Sequence, residues 1–443
     1  MKVLVLPCSL QIGGSEINAV DLAAAVQQRG HDAVLFGRPG PLRERARHLG
    51  VRVVDARTPE RLRPSPLAAL ELRTVVRRER PDLVHVYEGY SCTEAFYGVG
   101  FRRRTPLVGT LYTMSVDSFV PTAFPVIAGT AELHADLLRG RRADAVFRLD
   151  PPVDVLASSP DPADGRRFRA AHGILDHEYL VAIVSRLDLW LKMDSLLDTI
   201  DAVGALAHDL PVRLVVVGDG RAREAVARRA EAVNAAHGRP VVLMTGALMD
   251  PVPAYRAADV VVGMGTSLLR GMATGRPSVL VGELGYVRTM RPETVGQSLV
   301  QGFWGVGDGG SGADRIRDAV LEIHRMPEPQ RAALGDFGRR LVVERHGLES
   351  SADALLEIYR QVLAWSPRPR DLVLDAARTP GRVLAHKIRH RLPDRRHAQR
   401  RLLAQTGSGR DRYEPALATS QPGVPESGAV AADAAARHPG PGR

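Results

Sequence analysis

VLVLPCSLQIGGSEINAVDLAAAVQQRGHDAVLF, from Val3 to Phe36, sets the pattern for the rest of the chain. Val3-Leu4-Val5-Leu6 is an apolar run of strand length. Gly13-Gly14-Ser15 interrupts it with a turn. From Glu16 to Gln28 the apolar face of Ile17, Val20, Ala24 and Val26 is roughly helical in period, and Gly30 stands where a left-handed cap would end the helix. His31 to Phe36 is the next strand. Strand, helix and strand in this order form the unit of a parallel sheet.

The alternation continues outward. Strands are predicted at Val51 to Val54, Leu83 to Val86, Leu107 to Leu111 and Phe124 to Ala128, with helices at Pro66 to Arg78 and Ala131 to Leu138. Such short apolar runs between helices imply a sheet covered on both faces. Ser158-Ser159-Pro160-Asp161-Pro162 is a turn-rich break. The pattern then restarts with strands at Tyr179 to Val184, Leu214 to Val217, Val241 to Met244, Val260 to Val262 and Pro277 to Val281. The helices between them are Met193 to Ala207, Arg221 to Ala235, Val252 to Ala257 and Thr266 to Thr274. The reading is two tandem α/β domains, 1–160 and 161–345, closed by a helix in 346–365. Residues 366–443 read as a basic, largely disordered tail, with a basic helix from Leu372 to Arg391 interrupted at Thr379-Pro380-Gly381.

The 443 residues suffice for two or three domains, and 44% are apolar, as in globular chains. The net charge of +10 is concentrated between Arg368 and Arg401. A basic tail suits anionic lipid, an acidic partner or simple solubility better than nucleic acid, which would call for cations along one face of a folded domain. Arg378 to Arg401 could give peripheral membrane contact, although the stretch shows no clean apolar face in the sequence. Two cysteines, Cys8 and Cys92, make no disulfide framework. The N-terminus lacks signal-peptide character, and no run approaches a membrane span, so the expected compartment is the cytoplasm.

Three segments carry chemistry. Gly13 and Gly14 lie where a first strand passes into a helix, so a ligand can approach the backbone and an anion can meet the helix N-terminus. Arg186 and Lys192 follow the first strand of the second half, and two cations at the carboxyl end of a parallel strand suit a diphosphate. Gly265, Thr266, Ser267 and Leu268 open a later helix, with Thr266 or Ser267 as its expected cap. Gly218-Asp219-Gly220 is a turn that could touch a nucleotide. No Asp-x-Asp pair or His/Cys cluster suggests a metal site.

In order and spacing these segments resemble the retaining glycosyltransferases of family 4, over about residues 1 to 363. Ile12-Gly13-Gly14-Ser15-Glu16 looks like the acceptor-side glycine loop, and Ser185-Arg186-Leu187 with Lys192 looks like the donor diphosphate site. Pro81-Asp82-Leu83-Val84-His85, Val215-Val216-Val217-Gly218-Asp219-Gly220, Ala257-Ala258-Asp259-Val260-Val261-Val262 and Met272-Ala273-Thr274-Gly275-Arg276-Pro277 match further family patterns. The helix Leu355 to Arg360 is similar to the one that crosses back to the first domain. The resemblance implies the GT-B fold, two Rossmann-like domains facing across a cleft. It also implies metal-free transfer of a sugar, with retention, from a nucleotide-sugar to a hydroxyl of a glycan, lipid-linked or small-molecule acceptor. No separate cofactor is implied. Arg186 and Lys192 would be catalytic; Gly13, Gly14, Gly218, Gly265, Thr266, Ser267, Leu268 and Arg270 would bind the donor.

The chain departs from the family at several points. Arg270 stands where a glutamate usually holds the ribose, and Val262 sits at the spacing of the other glutamate. An arginine cannot accept hydroxyl hydrogen bonds but can meet a phosphate, which leaves Glu283 or another carboxylate for the ribose. Thr110-Leu111-Tyr112-Thr113 replaces the usual histidine segment, and the Arg–Lys spacing is one residue longer. Arg270 keeps open a second reading, a catalytically silent scaffold subunit. An epimerase of the same fold is a third.

Overall fold

A computed structural model of the chain describes residues 1–101, 105–189 and 191–391. Trp190, inside the predicted cationic loop, and the end of the predicted tail from 392 onward lie outside the described residues.

The first sheet is built from β1 (Lys2–Leu6), β2 (Asp32–Gly37), β3 (Arg52–Asp55), β4 (Leu83–Tyr87), β5 (Leu107–Leu111), β6 (Val126–Ala128) and β7 (Val146–Arg148). Its order is β3-β2-β1-β4-β5-β6-β7, and every pairing is parallel. Helices α1 (Gly14–Gln28), α2 (Leu42–His48), α3 (Pro66–Glu79), α4 (Glu88–Ala95) and α5 (Ala131–Leu138) connect the strands. The strand alternation explains why both faces are apolar. Val3 and Val5 join one buried cluster with the Ala19–Val26 face of α1, whereas Leu4 and Leu6 join another beneath Phe96 and Phe124.

The second sheet is built from β8 (Tyr179–Val184), β9 (Val212–Val217), β10 (Val242–Gly246), β11 (Val260–Gly263), β12 (Ser278–Val281) and β13 (Val287–Thr289), in the order β10-β9-β8-β11-β12-β13. Only β13, among the described strands, is antiparallel to its neighbour. Its helices are α6 (Pro162–Ala171), α7 (Met193–Leu206), α8 (Arg223–His237), α9 (Val252–Ala257), α10 (Gly265–Ala273), α11 (Val295–Gln301), α12 (Gly312–Arg325) and α13 (Glu328–His346). Asp161 in the turn-rich break caps α6 through the Ala163 and Asp164 amides, and Asp164 pairs with Arg256 of α9 at 2.9 Å. The chain therefore enters the second layer directly after the break.

Helix α13 packs on α10, and α14 (Leu348–Ala364) then returns to the first sheet. Leu355, Tyr359 and Val362 bury themselves against it. The Tyr359 hydroxyl lies 2.7 Å from His85 Nδ1, and His85 Nε2 lies 2.7 Å from Thr110 Oγ1. Burial holds the His85 pKa down to about 3, so this ring is a neutral structural bridge.

The last helix corrects an expectation. α15 (Pro369–Arg391) runs unbroken through Thr379-Pro380-Gly381 and lies on the first domain, with Leu372, Asp375 and Thr379 buried. Asp375 accepts from the Ala123 amide at 2.7 Å. A proline inside a helix leaves the carbonyl four residues earlier without its donor. Here that carbonyl belongs to Ala376, and the Tyr97 hydroxyl donates to it at 2.8 Å. The partner that rescues Pro380 lies far away in sequence, so the local pattern alone reads as a break.

Candidate active site between the two sheets

Each sheet reverses its strand order once, between β1 and β4 and between β8 and β11. At such a switch point the loops diverge at the carboxyl ends of the strands and leave a crevice for a ligand. The segments after these strands are Gly13-Gly14 after β1, Glu88 after β4, the Arg186 loop after β8 and Gly265 after β11. The two crevices meet. A Cβ built on Gly14 would stand 3.4 Å from Thr266 Oγ1, and one built on Gly13 would stand 3.7 Å from Arg186 Nη1.

Three helices begin here without a side-chain cap: α1 after Gly13, α7 after Lys192 and α10 after Met264. Their first amides have no acceptor within the helix, and their dipoles favour an anion. Gly265 takes a left-handed φ of +58° to start α10, and its own N–H donates to Phe303 O at 2.8 Å. The expected capping role of Thr266 or Ser267 is not found, because Ser267 Oγ donates back to Met264 O at 2.9 Å. The amides near Thr266 therefore stay available to a ligand.

Lys192 is half-buried, and burial together with the neighbouring Arg186 lowers its pKa to about 7. Arg186 remains 58% exposed, 3.6 Å from Asp188. Two cations held together without full neutralisation leave positive charge for a ligand to satisfy.

Residues 12–147 match the profile described as Glycosyltransferase Family 4, and residues 178–303 match Glycosyl transferases group 1. The chain is a glycosyltransferase of the GT-B fold. A search of curated proteins finds no match. Among solved structures, Anabaena Alr3699/HepE in complex with UDP-glucose is 19% identical, with a TM-score of 0.62 over 81% of this chain and 99% of that one. Sucrose-phosphate synthase from Thermosynechococcus elongatus is 17% identical, with a TM-score of 0.61 over 82% and 100%. WaaG, a glycosyltransferase involved in lipopolysaccharide biosynthesis, is 16% identical, with a TM-score of 0.57 over 81% and 99%.

The transferase brings Gly13, Gly14, Arg186, Lys192, Gly265, Thr266 and Ser267 together where the loops of the two sheets meet. Three expected donor contacts have other partners within the protein. The Leu268 side chain is fully buried in the second core, leaving only its amide for a ligand. Gly218, at φ +149°, lies so close to the cationic loop that a Cβ there would stand 1.9 Å from Ser185 O. Its role is to shape the Arg186 loop from behind. Arg270 faces α1: its Nη2 is 3.8 Å from Asp21, which also accepts from Arg45 at 2.6 Å. Asp21 is almost fully buried, so an arginine from each side offsets its charge, and Arg270 ties α10 to the first domain. Glu283, the alternative ribose acceptor, is buried just after β12. Burial raises the Cys8 thiol pKa, which favours the unreactive thiol form.

Sequence reasoning missed Glu88. It follows β4 with a left-handed φ of +67°, a strained conformation for a residue with a side chain. Its Oε1 accepts from Ser15 Oγ at 2.6 Å and from the Tyr112 amide at 3.3 Å, while Oε2 is buried without a partner. Burial, with Glu16 adding to it, raises the Glu88 pKa to about 7. The folded state thus favours the protonated acid. The stability this confers is full below the unfolded-state pKa and is lost as pH rises through about 7. Glu88→Gln should abolish that loss, leaving the variant more stable than wild type by on the order of 2 kcal/mol at pH 8, with little difference at pH 4.5. Thermal melts across pH check this. Parallel stability curves for the two proteins would contradict it.

Proposed function

We propose that the transferase takes its sugar from a nucleoside-diphosphate sugar and delivers it to an acceptor hydroxyl with retained configuration, using protein cations in place of a metal ion. The observation that carries the reading is the meeting of Gly13 and Gly14 with Arg186 and Thr266 beside Lys192. A diphosphate there would find two cations and open helix amides from both domains. The bound UDP-glucose and UDP in the similar Anabaena structures support a nucleotide-sugar as the donor class.

In this reaction the bond between the sugar's anomeric carbon and the diphosphate oxygen breaks, and its electron pair stays with the leaving diphosphate. Arg186, Lys192 and the α10 amides stabilise that charge as it grows. The acceptor hydroxyl forms the new bond on the face the leaving group vacates, and its proton passes to the departing phosphate oxygen. Closure between α1 and α10 excludes water, which would otherwise hydrolyse the donor.

Lys192 makes the proposal testable through pH. With a pKa of about 7 in the free protein, it is partly neutral above that pH. A bound diphosphate raises its pKa, so binding takes up a proton. Affinity for nucleoside diphosphates should therefore fall as pH rises from about 7 to 9, by up to about tenfold per unit. Lys192→Arg, always charged, should bind with a flat profile. Calorimetric titration with a panel of nucleoside diphosphates measures both, and an identical slope in the variant would remove Lys192 from the diphosphate site.

A further inference from the structure

Helix α15 points an apolar stripe at solvent. Its inner face, with Leu372, Asp375, Thr379 and Val383, is packed on the first domain. At 3.6 residues per turn these positions centre on one side of the helix. Val373, Leu374, Leu384 and Ile388 fall on the opposite side, within an arc of about 100°. They are 62%, 45%, 61% and 52% exposed. The Tyr97 hydrogen bond at Ala376 keeps the helix continuous through Pro380, so residues from both sides of the proline share one stripe. A helix resting on a protein core ordinarily turns polar residues to water.

One edge of the stripe is basic. Arg378 and Arg389 are exposed along it, while Arg370, at the start of the helix, extends into solvent beside Asp371 at 3.4 Å. The acids of α15 are Asp371 at its start and Asp375, which is buried against the amides of Thr122 and Ala123. Two copies of the chain mated along this stripe would bring like-charged edges together. An anionic lipid surface accepts the apolar side chains below the headgroups and meets the arginines with phosphates. Among the described residues no helix is long and apolar enough to cross a membrane.

We propose that the outward face of α15 seats the transferase on the surface of an anionic membrane, with the first domain toward the lipid. The surface is independent of the donor cleft, so its test does not depend on the assigned chemistry.

The experiment is co-sedimentation of the full chain with phosphatidylcholine vesicles, with and without phosphatidylglycerol. Three variants accompany wild type: Leu384→Glu/Ile388→Glu, Arg378→Glu/Arg389→Glu and a truncation after Arg391. The substituted side chains are exposed, so thermal melts should match wild type. Wild type and the truncation should sediment with the anionic vesicles only, and both charge-inserting variants should lose about tenfold or more in partitioning. Absence of wild-type binding would overturn the proposal. So would binding unaffected by the stripe substitutions, or binding lost on truncation alone. Lipid-free dimerisation abolished by Leu384→Glu/Ile388→Glu would overturn it in favour of a second copy.

Discussion

Lys192→Ala should lower kcat/KM by about 10²–10³ while leaving the fold intact, because one preorganised cation at a departing diphosphate contributes on that scale. The fold should even gain. Burial depresses the Lys192 pKa to about 7, so the folded state holds this ammonium at a cost below that pH. The truncated variant should melt higher than wild type at pH 6, and the difference should fade as pH rises through 7 and the wild-type amine loses its proton. Higher stability with lost turnover is the expected behaviour of a group held for chemistry rather than for packing. Steady-state kinetics alongside melts at pH 6 and 8 check both halves. A loss of turnover accompanied by a lower melting temperature at pH 6 would instead make Lys192 a structural residue.

Gly218→Ala should act on the same loop from behind. The new Cβ would meet Ser185 O at 1.9 Å, and φ +149° is unsuited to any side chain. Ser185 and Leu187 donate their amides to Val217 O and Asp219 O at 3.0 Å each, so a displaced turn carries the Arg186 loop with it. The expected loss is about 2–4 kcal/mol of stability, with turnover falling further than unfolding explains. Gly238→Ala is the control: φ is +59° there, but nothing lies within 4 Å of the added methyl, so about 1 kcal/mol is expected and activity should be unchanged. Equal effects at the two glycines would refute the positional argument.

What the sequence reveals depends on how local the determining physics is. β8 (Tyr179–Val184) and α9 (Val252–Ala257) coincide with their predicted limits, because a buried strand and a short proline-flanked helix are marked by their own residues. The opposed loops after β1, β8 and β11 were also readable, since glycines and cations punctuate the strand ends. β7 and β13 carry too little apolar pattern to register: Val146–Arg148 and Val287–Thr289 each include an arginine, whereas the equally short β6 (Val126–Ala128) is wholly apolar. The continuity of α15 depends on Tyr97, and the orientation of Arg270 depends on Asp21 in the other domain. Glu88 carries no motif: its strained backbone and unpartnered oxygen exist only once Ser15 and Tyr112 fold around it. At Arg270 the sequence alone suggests a phosphate contact, and the fold adds a buried acid, Asp21, that no local pattern announces.

The most direct measurement is a crystal structure with a nucleoside diphosphate bound. The account predicts the diphosphate between the two sheets, with its oxygens within about 3 Å of Arg186, Lys192 and the first amides of α10. A diphosphate bound away from those groups, or a cleft in which Arg186 and Lys192 turn to solvent while the nucleotide sits elsewhere, would contradict it.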